Sequence, residues 1–339
     1  MADTSSDSRG ATISTVADRA GVSVASVSRY LNGDPKVSVQ MRHRIKNAIR
    51  ETAYTPKAAA RSLRGRSTRQ ISLVVEDIGN PAYVEAMRSL QELVHEHRLR
   101  LLVESTYGQL EKELKVVHDL AERYVDGVVL FSTGFAPRLI QELQTPAVPI
   151  VVIGSVPQDI VVDSVGADAG GGARRAVEHL RHQGCRRVGM VSGPQGTLPA
   201  KSRLEGFREG LADHANAPVV HATAFTREAG YLATMSLLDT GDRPDALLCA
   251  NDQLAVGALN ACLDRGLRVP EDVALVGMDN SRDATICRPQ LTSVDLRFAD
   301  RGRLAGQMLL DRIHGRYDGA PRRQSVYTDL VIRGSSTRS

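Results

Sequence analysis

Apolar residues recur at helical spacing near the start of the chain and predict three short helices. The first two lie within residues 12–32, which read TISTVADRAGVSVASVSRYLN, and the third spans residues 39–52. Gly21 falls between the first two helices, where a tight turn needs the positive φ that glycine adopts readily. The apolar positions expected to pack the helices together are Ala17, Ala20, Val22, Val27, Met41, Ile45, Ala48 and Ile49.

Short polar residues precede each of these helices, where a side-chain oxygen commonly accepts a hydrogen bond from a free backbone N–H group. We expect Ser14, Ser23 and Ser38 to cap the first, second and third helix. Pro56 ends the third pattern. The sequence KAAARSLR at residues 57–64 then predicts a fourth helix, which at this length would be marginally stable alone.

From residue 71 onward, short apolar runs rich in Val, Ile and Leu alternate with amphipathic segments. ISLVVE, RLLVES, DGVVLF and PIVVI are predicted strands, and the alternation restarts after VVDSVGAD with RRVGMVS, ALLCA and VALVGM. Alternation of this kind favours parallel sheets covered by helices, and the restart favours two α/β subdomains. The polar segment 65–70 would separate them from the helical head.

Charge divides the 339-residue chain unequally. Residues 1–70 hold thirteen Lys or Arg and five Asp or Glu, a net charge of +8, whereas the remainder holds thirty basic and thirty-four acidic residues, a net charge of −4. A basic head on a mildly acidic body is typical of proteins that bind nucleic acid. Together with two crossed helices around a glycine turn, it predicts a helix-turn-helix whose second helix enters the DNA major groove. A purely structural helical hairpin is the alternative for this stretch alone.

Several function classes are disfavoured by what the sequence lacks. No apolar run approaches the roughly 18 residues of a membrane helix, and residues 1–11 read as a polar, disordered leader without a signal-peptide core. The four cysteines have no CxxC spacing, which fits a reducing cytoplasm and no metal site. Gly170–Gly172 lack the surroundings of a phosphate loop, and no nucleophile–base pair is evident, so we expect no cofactor and no enzymatic activity.

Ordered motifs along nearly the whole chain resemble the LacI/GalR family of bacterial transcription regulators. They include TISTVADRAGVSVASVSRYLNG, YTPKAAARSL, VDGVVL, ANDQLAVGAL, GLRVPEDVALVGMDN and PQLTSV. The resemblance implies a helix-turn-helix head (12–56), a hinge helix and linker (57–70), a periplasmic-binding-protein-like body (71–333) and a tail (334–339). The body's first subdomain would comprise about 71–166 and 297–325, and its second about 167–296 and 326–333, with three crossings between them.

The resemblance also implies which residues meet DNA. Val24 and Ala25 stand at base-reading positions, where they offer only apolar contact, so Arg29 becomes the best candidate for a guanine contact. Leu63 matches a leucine that wedges into the minor groove, whereas Lys57 departs from the usual Asn. The full expected set is Thr12, Ser23, Val24, Ala25, Ser26, Ser28, Arg29, Asn32, Lys36, Ser38, Tyr54, Lys57, Ala60 and Leu63.

A small ligand is expected in the cleft between the subdomains, at the carboxyl ends of the strands. Charged and amide groups that bind hydroxyls, with an aromatic ring for an apolar sugar face, favour a carbohydrate. The expected residues are Asn80, Tyr83, Arg203, Phe225, Asn251, Asp252 and Asp279. Asn251 and Asp252 could cap a helix, alone or in addition to this role. Gly154 and Leu296 stand where relatives often carry polar ligand contacts, which leaves the ligand's identity open.

The sequence therefore predicts a cytoplasmic, homodimeric repressor that binds a near-palindromic operator under the control of a small molecule, with a sugar favoured. A regulator of the same family that depends on a corepressor or a partner protein is the first alternative. A solute-binding protein of a transport system shares the body fold, but the basic head disfavours it. A sugar-processing enzyme is the third alternative and lacks a catalytic constellation.

Overall fold

The computed structural model describes residues 11–31, 34–54, 67–119, 124–144, 146–211, 217–239 and 243–338. The chain divides into two compact units, Met1–Thr68 and Arg69–Ser339, which we call the head and the body. The predicted hinge helix at residues 57–64 lies outside the described residues, as do Asn32, Lys57, Ala60 and Leu63.

Three helices form the described part of the head: α1 (Ile13–Ala20), α2 (Val24–Leu31) and α3 (Val39–Glu51). Their buried faces meet in one small apolar core of Val16, Ala17, Ala20, Val27, Ile45 and Ala48. Val22, Met41 and Ile49 pack against its edge. The helical periodicity of the sequence thus identified the core residues of the head apart from Val16, which is fully buried.

Helix capping differs from the expectation at α1 and agrees with it at α2 and α3. Thr12, not Ser14, caps α1: the Thr12 backbone is extended, and its Oγ1 accepts a hydrogen bond from the Thr15 N–H at 3.2 Å. Ser14 therefore lies inside the first turn, where it cannot cap. The Ser23 hydroxyl accepts from the Ser26 N–H at 3.1 Å, and the Ser38 hydroxyl from the Met41 N–H at 3.3 Å.

The turn between α1 and α2 depends on Gly21 and on an arginine from α3. Gly21 has φ 59° and ψ 46°, the left-handed conformation that commonly ends a helix. Nη2 of Arg44 donates to the carbonyl oxygens of Ala20 and Gly21 at 2.6 and 2.7 Å. A Cβ at position 21 would lie 2.6 Å from the same nitrogen. Glycine is needed here both for its backbone conformation and for the space that Arg44 occupies.

Two six-stranded sheets form the body. The first sheet has the order β11-β5-β4-β3-β1-β2, and all its neighbouring strands are parallel. The second has the order β12-β10-β9-β8-β6-β7, parallel except where β12 runs antiparallel to β10. The strands are β1 (Gln70–Val75), β2 (Arg100–Ser105), β3 (Gly127–Phe131), β4 (Ile150–Ile153), β5 (Asp163–Ala167), β6 (Val188–Ser192), β7 (Val219–His221), β8 (Ala246–Cys249), β9 (Ala274–Met278), β10 (Thr292–Asp295), β11 (Arg323–Val326) and β12 (Asp329–Val331).

Helices connect the parallel strands and cover the sheets, as right-handed crossover connections require. They are α4 (Pro81–Glu96), α5 (Leu110–Asp119), α6 (Pro137–Gln144), α7 (Ala169–His182), α8 (Leu198–Leu211), α9 (Arg227–Leu238), α10 (Asp252–Asp264), α11 (Arg282–Ile286) and α12 (Phe298–Ile313). Helix α12 follows a strand of the second sheet but packs on α4 and on strands of the first.

The chain passes between the two sheets three times: after β5, after β10 and after β11. A helical head together with two α/β sheets confirms the predicted fold class. Strand β11 was not anticipated as a separate element, because its sequence, RQSV, is mostly exposed and has no apolar alternation. None of the helices that the structure describes is both long and apolar enough to cross a membrane.

Candidate functional site

The second helix of the head presents a small exposed face beside the turn. Val24 and Ala25 are exposed at its first turn, and Arg29 is exposed one turn later. Val27, on the opposite side, is completely buried in the head core. The helix therefore offers two apolar side chains and one guanidinium to an incoming surface.

Hydroxyl groups surround this face at the helix starts. Thr12, Ser23 and Ser38 are exposed caps whose hydroxyls each accept a backbone N–H, and hydroxyls at helix starts are common phosphate contacts. The Thr12 hydroxyl also shares a 3.0 Å hydrogen bond with that of Thr15. Ser26 shares a 3.0 Å hydrogen bond with Ser23. The remaining expected positions with described structure are Ser28, which is partly buried, Lys36, which is exposed, and Tyr54, which packs against the head core.

The carboxyl ends of the two sheets contribute two walls to a second candidate site. The first wall comprises Tyr83, Phe131, Phe298 and Arg301. Ring centroids lie 4.8 Å apart for Tyr83–Phe131, 6.0 Å for Phe131–Phe298 and 6.0 Å for Tyr83–Phe298. The Arg301 guanidinium covers the Phe298 ring, with Cζ 4.8 Å from its centroid. This wall combines an apolar aromatic surface with one cation.

The second wall comprises Arg203, Phe225 and Asp279. Nη1 of Arg203 donates to the Ala250 carbonyl at 2.7 Å, and Nη2 lies 3.6 Å from Oδ1 of Asp279. Cζ of Arg203 lies 5.7 Å from the centroid of the Phe225 ring. A hydrogen bond from the Leu198 N–H to the Thr133 carbonyl, 2.9 Å long, joins the two sides beside these walls.

Two polar atoms in the second wall are buried without a hydrogen-bond partner. Oδ1 of Asp279 and Nε of Arg203 have no hydrogen-bond partner, although both residues are more than nine-tenths buried. Asp279 also has φ 116°, and Asn280 after it has φ 52°, so the chain holds a strained turn at the end of β9. Burial raises the pKa of Asp279, while Arg203 and Arg301 act in the opposite direction. Such atoms are available to donors and acceptors of a ligand.

Two of the expected ligand contacts, Asn251 and Asp252, also make hydrogen bonds within the body. Oδ1 of Asn251 accepts the Leu254 N–H at 2.9 Å and caps α10, and its amide nitrogen donates to the Phe225 carbonyl at 3.4 Å. Asp252 is 1% exposed and accepts from the Ser281 N–H and the Ser293 hydroxyl, both at 2.6 Å. Both side chains therefore help to hold the second wall in place, and their role as ligand contacts stays a prediction.

Asn80 and Tyr83 lie at the start of α4, after β1. Oδ1 of Asn80 accepts the Ala82 N–H at 3.0 Å and caps the helix, and the residue stays partly exposed. Tyr83 is buried within the aromatic cluster, and burial raises the pKa of its hydroxyl. Tyr83 therefore supplies ring surface and a neutral hydroxyl to the first wall.

Sequence reasoning missed Phe131, Phe298, Arg301 and Gly193. Phe131 ends a buried strand, and such a position at a sheet's carboxyl edge was a usable signal. Arg301 interrupts an apolar stripe on α12 that includes Phe298 and Ala305, and a charge on a buried stripe was a second signal. Gly193 follows β6, and a Cβ there would overlap the Phe225 ring. That close approach has no signature in the sequence.

Comparison with known protein families matches both units of the chain. Residues 12–57 match the family described as bacterial regulatory proteins of the lacI family. Residues 177–336 match the periplasmic binding protein-like domain. The first match covers the helix-turn-helix, and the second covers all six strands of the second sheet.

Similar proteins extend over almost the entire chain. The ribose operon repressor of Halalkalibacterium halodurans is 33% identical over 322 residues, which cover 95% of this chain and 96% of the relative. The transcriptional repressor CytR of Escherichia coli (strain K12) is 31% identical, with 96% of each chain covered. Both relatives are named as repressors, which agrees with a regulator rather than an enzyme.

Solved structures show the same architecture. The lac repressor dimer bound to operator and the anti-inducer ONPF has a TM-score of 0.85 at 26% identity, covering 97% of this chain and 100% of that one. A complex of the transcriptional regulator CelR with cellobiose has a TM-score of 0.72 at 32% identity, covering 96% and 99%. Sequence identity above 30% across nearly full-length relatives, with agreement of fold in both units, shows that the chain is a DNA-binding transcription regulator of the lacI family.

Proposed function

We propose that this chain is a homodimeric repressor that binds a near-palindromic operator in the bacterial cytoplasm and is controlled by a polyhydroxylated ligand, a sugar or a close relative of one. The ligand would lie between the first and second walls. It would change the relative angle of the two sheets and so alter how the head engages DNA. The observation that carries the ligand proposal is that two buried atoms, Asp279 Oδ1 and Arg203 Nε, have no hydrogen-bond partner.

Sugar chemistry fits this pair. A hydroxyl can donate to Oδ1 of Asp279 and accept from Nε of Arg203 at the same time, which satisfies both atoms. The Phe225 ring and the aromatic cluster of the first wall offer surfaces for the apolar face of a pyranose or furanose ring. The names of relatives, a ribose operon repressor among them, point in the same direction.

In the head, helix α2 would contact the DNA bases. Arg29 would donate to a guanine, and Val24 and Ala25 would contact thymine methyl groups. Thr12, Ser23, Ser26, Ser28, Lys36 and Ser38 would hold phosphates. Asn32, Lys57, Ala60 and Leu63 remain predicted DNA contacts from the sequence, and Tyr54 now serves mainly to anchor α3 in the head core.

DNA recognition is tested by selecting bound sequences from random duplexes and then measuring affinity for the selected operator. We expect a near-palindrome, and Arg29→Ala should weaken operator binding by about 1–3 kcal/mol, with little effect on unrelated DNA. Equal weakening on both DNAs would show that Arg29 holds a phosphate instead. If the wild-type chain enriches no sequence from the random duplexes, sequence-specific binding is contradicted.

The ligand site is tested by thermal-shift screening against sugars and nucleosides, because a ligand that binds only the folded chain raises its melting temperature. Arg203→Ala should abolish the shift while operator binding without ligand persists. Arg208, exposed on the same helix α8, provides the matched control Arg208→Ala, which should respond like wild type. A normal dose response in Arg203→Ala would contradict the assigned site. Whether ligand tightens or loosens operator binding decides between a corepressor and an inducer.

A further inference from the structure

Arg301 is a buried cation that forms no ion pair with the described residues. Its side chain lies on the face of α12 that packs into the body, and only 6% of the residue is exposed. Its Nε has no hydrogen-bond partner, and no carboxylate of the described residues lies within ion-pair distance of its guanidinium. Its visible partners are the rings of Phe298 and Phe131, 4.8 and 5.9 Å from Cζ. Burying a guanidinium in this way costs free energy unless something else compensates for it.

The position of Arg301 over the Phe298 ring leaves its N–H groups free of that ring for hydrogen bonds to a ligand. A guanidinium that lies over an aromatic ring directs its N–H groups outward in its own plane, where an oxyanion can be bound by two hydrogen bonds. Helix α12 packs on α4 and on the first sheet, so the group is held by a rigid element rather than by a loop. The first wall is therefore preorganised to receive an anionic group.

The second wall adds another guanidinium. Arg203 is 8% exposed, and its charge lowers the pKa of Arg301, which burial has already lowered, to about 10. The acidic group that faces both arginines is Asp279, which lies 3.6 Å from Arg203. Glu76 also faces Arg203, and burial, with Asp77 nearby, raises the pKa of Glu76. Asp279 is thus the carboxylate of the described residues that acts on both guanidiniums, and it forms an ion pair with Arg203 rather than with Arg301.

We propose that the ligand of this cleft carries an anionic group, a phosphate or a carboxylate, and that Arg301 is the residue that selects it. This inference rests on the proposed function and specifies its ligand class: hydroxyls bind Asp279, the sugar face packs on Phe225, and the anionic group binds Arg301 with help from Arg203. An anion between the two guanidiniums replaces their repulsion by attraction to a shared partner. Ligand binding then favours the approach of the two walls.

Matched neutral and anionic probes test the inference on the full-length chain. The probes are ribose with ribose 5-phosphate, glucose with glucose 6-phosphate and glucuronate, and inorganic phosphate alone. Melting temperature identifies binding, and calorimetric titration gives affinity. We expect an anionic probe to bind at least about tenfold more tightly than its neutral parent, as charge-assisted hydrogen bonds predict. Tighter binding of a sugar phosphate than of glucuronate would indicate a phosphate ligand, and the reverse order would indicate a sugar acid.

Variants at position 301 separate recognition from folding. Arg301→Gln should weaken the anionic probe by about 10- to 100-fold and leave the neutral parent unchanged. Arg301→Lys keeps the charge and should retain part of the affinity even if Arg301→Gln folds poorly. Arg303→Gln, exposed on the same helix, is the matched control and should behave like wild type. Operator binding by each variant reports that the chain is folded.

Three results would overturn the inference. They are a neutral sugar that binds as tightly as its anionic partners, an anionic probe that keeps its affinity in both Arg301 variants, and the absence of any response to every anionic probe including inorganic phosphate. If an Arg203-dependent response to a neutral sugar survives, the proposed function stands and the anionic class alone is wrong. If no ligand of any class affects melting temperature or operator affinity, the proposed function fails as well.

Discussion

At the scale of single residues, two buried atoms determine which ligand groups can bind between the walls. Asp279 supplies an acceptor atom and Arg203 a donor atom, and neither atom has a hydrogen-bond partner. Asp279 also lies in a turn with a strained backbone. Folding alone does not favour such an arrangement, because each buried unpaired atom costs about 1–3 kcal/mol. A ligand that supplies the missing partners recovers that free energy only when it is bound.

Gly193 positions the aromatic ring of the second wall, because a Cβ at this position would overlap the Phe225 ring. In Gly193→Ala the ring should rotate away from Arg203, and the affinity for the cleft ligand should fall by about tenfold or more, since the ring contributes on the order of 1–2 kcal/mol. Titration calorimetry measures the change. Gly134→Ala is the control, because its Cβ would meet no atom within 4 Å. Equal affinities for wild type and Gly193→Ala would contradict this role of Phe225.

Glu113 on α5 should make the body less stable at high pH. Burial, with Glu76 nearby, raises its pKa to about 7, above the value near 4.5 expected when the chain is unfolded. Between these two pKa values the folded chain holds a proton that the unfolded chain has lost, so stability falls as pH rises from about 4.5 through 7. Glu113→Gln should therefore gain roughly 1–3 kcal/mol over wild type at pH 8 and almost nothing at pH 4.

Urea unfolding at the two pH values measures the effect of Glu113. The exposed Glu111 on the same helix offers the control variant Glu111→Gln, which should keep the wild-type dependence on pH. A Glu113→Gln chain whose stability follows pH as steeply as wild type would show that this carboxyl does not govern the dependence.

At the scale of elements, the head depends on how α1 turns into α2. The turn is fixed by the left-handed Gly21 and by Arg44, which reaches from α3 to the carbonyls that end α1. Because the same turn sets the direction of α2, its geometry also sets which side chains of α2 are presented outward. Stability and recognition therefore share residues in this part of the molecule.

Gly21→Ala should destabilise the head by about 2–3 kcal/mol, because a non-glycine residue is strained in this conformation and its Cβ would displace Arg44. Hydrogen exchange of the α1 amides in the full-length chain measures the loss, which should appear as faster exchange in the head and unchanged exchange in the body. Gly21→Asn keeps the Cβ but tolerates the backbone conformation better, so it should lose less. Identical losses in the two variants would show that backbone strain is not the cause.

Elements with strong periodicity were predictable from the sequence, and those that depend on distant partners were not. The third helix was predicted over residues 39–52 and forms α3 at Val39–Glu51. Strand β11 was missed because its exposed polar residues gain their order by pairing with β5. The charge of Arg301 on an apolar stripe was a signal, but its contact with Phe131 was not predictable because Phe131 lies on a strand far away along the chain. The hydrogen bonds of Asp252 with Ser281 and Ser293 were not predictable for the same reason.

At the scale of the whole molecule, we expect ligand binding in the body to be coupled to operator binding by the head. The head carries the proposed DNA-reading helix, and the body carries the proposed ligand site, whose two walls belong to different sheets. If the ligand favours one arrangement of the sheets and the operator favours another, each must change the affinity of the other by the same factor. The three passages of the chain between the sheets allow the walls to move without separating.

The most direct test of this account is the affinity of the full-length chain for its selected operator, measured by fluorescence anisotropy with and without the ligand that gives the largest Arg203-dependent melting shift. We predict a change of at least about fivefold in operator affinity at saturating ligand, the lower end of common allosteric coupling, and no change in Arg203→Ala. A ligand that saturates the wild-type cleft while operator affinity stays the same would contradict the account.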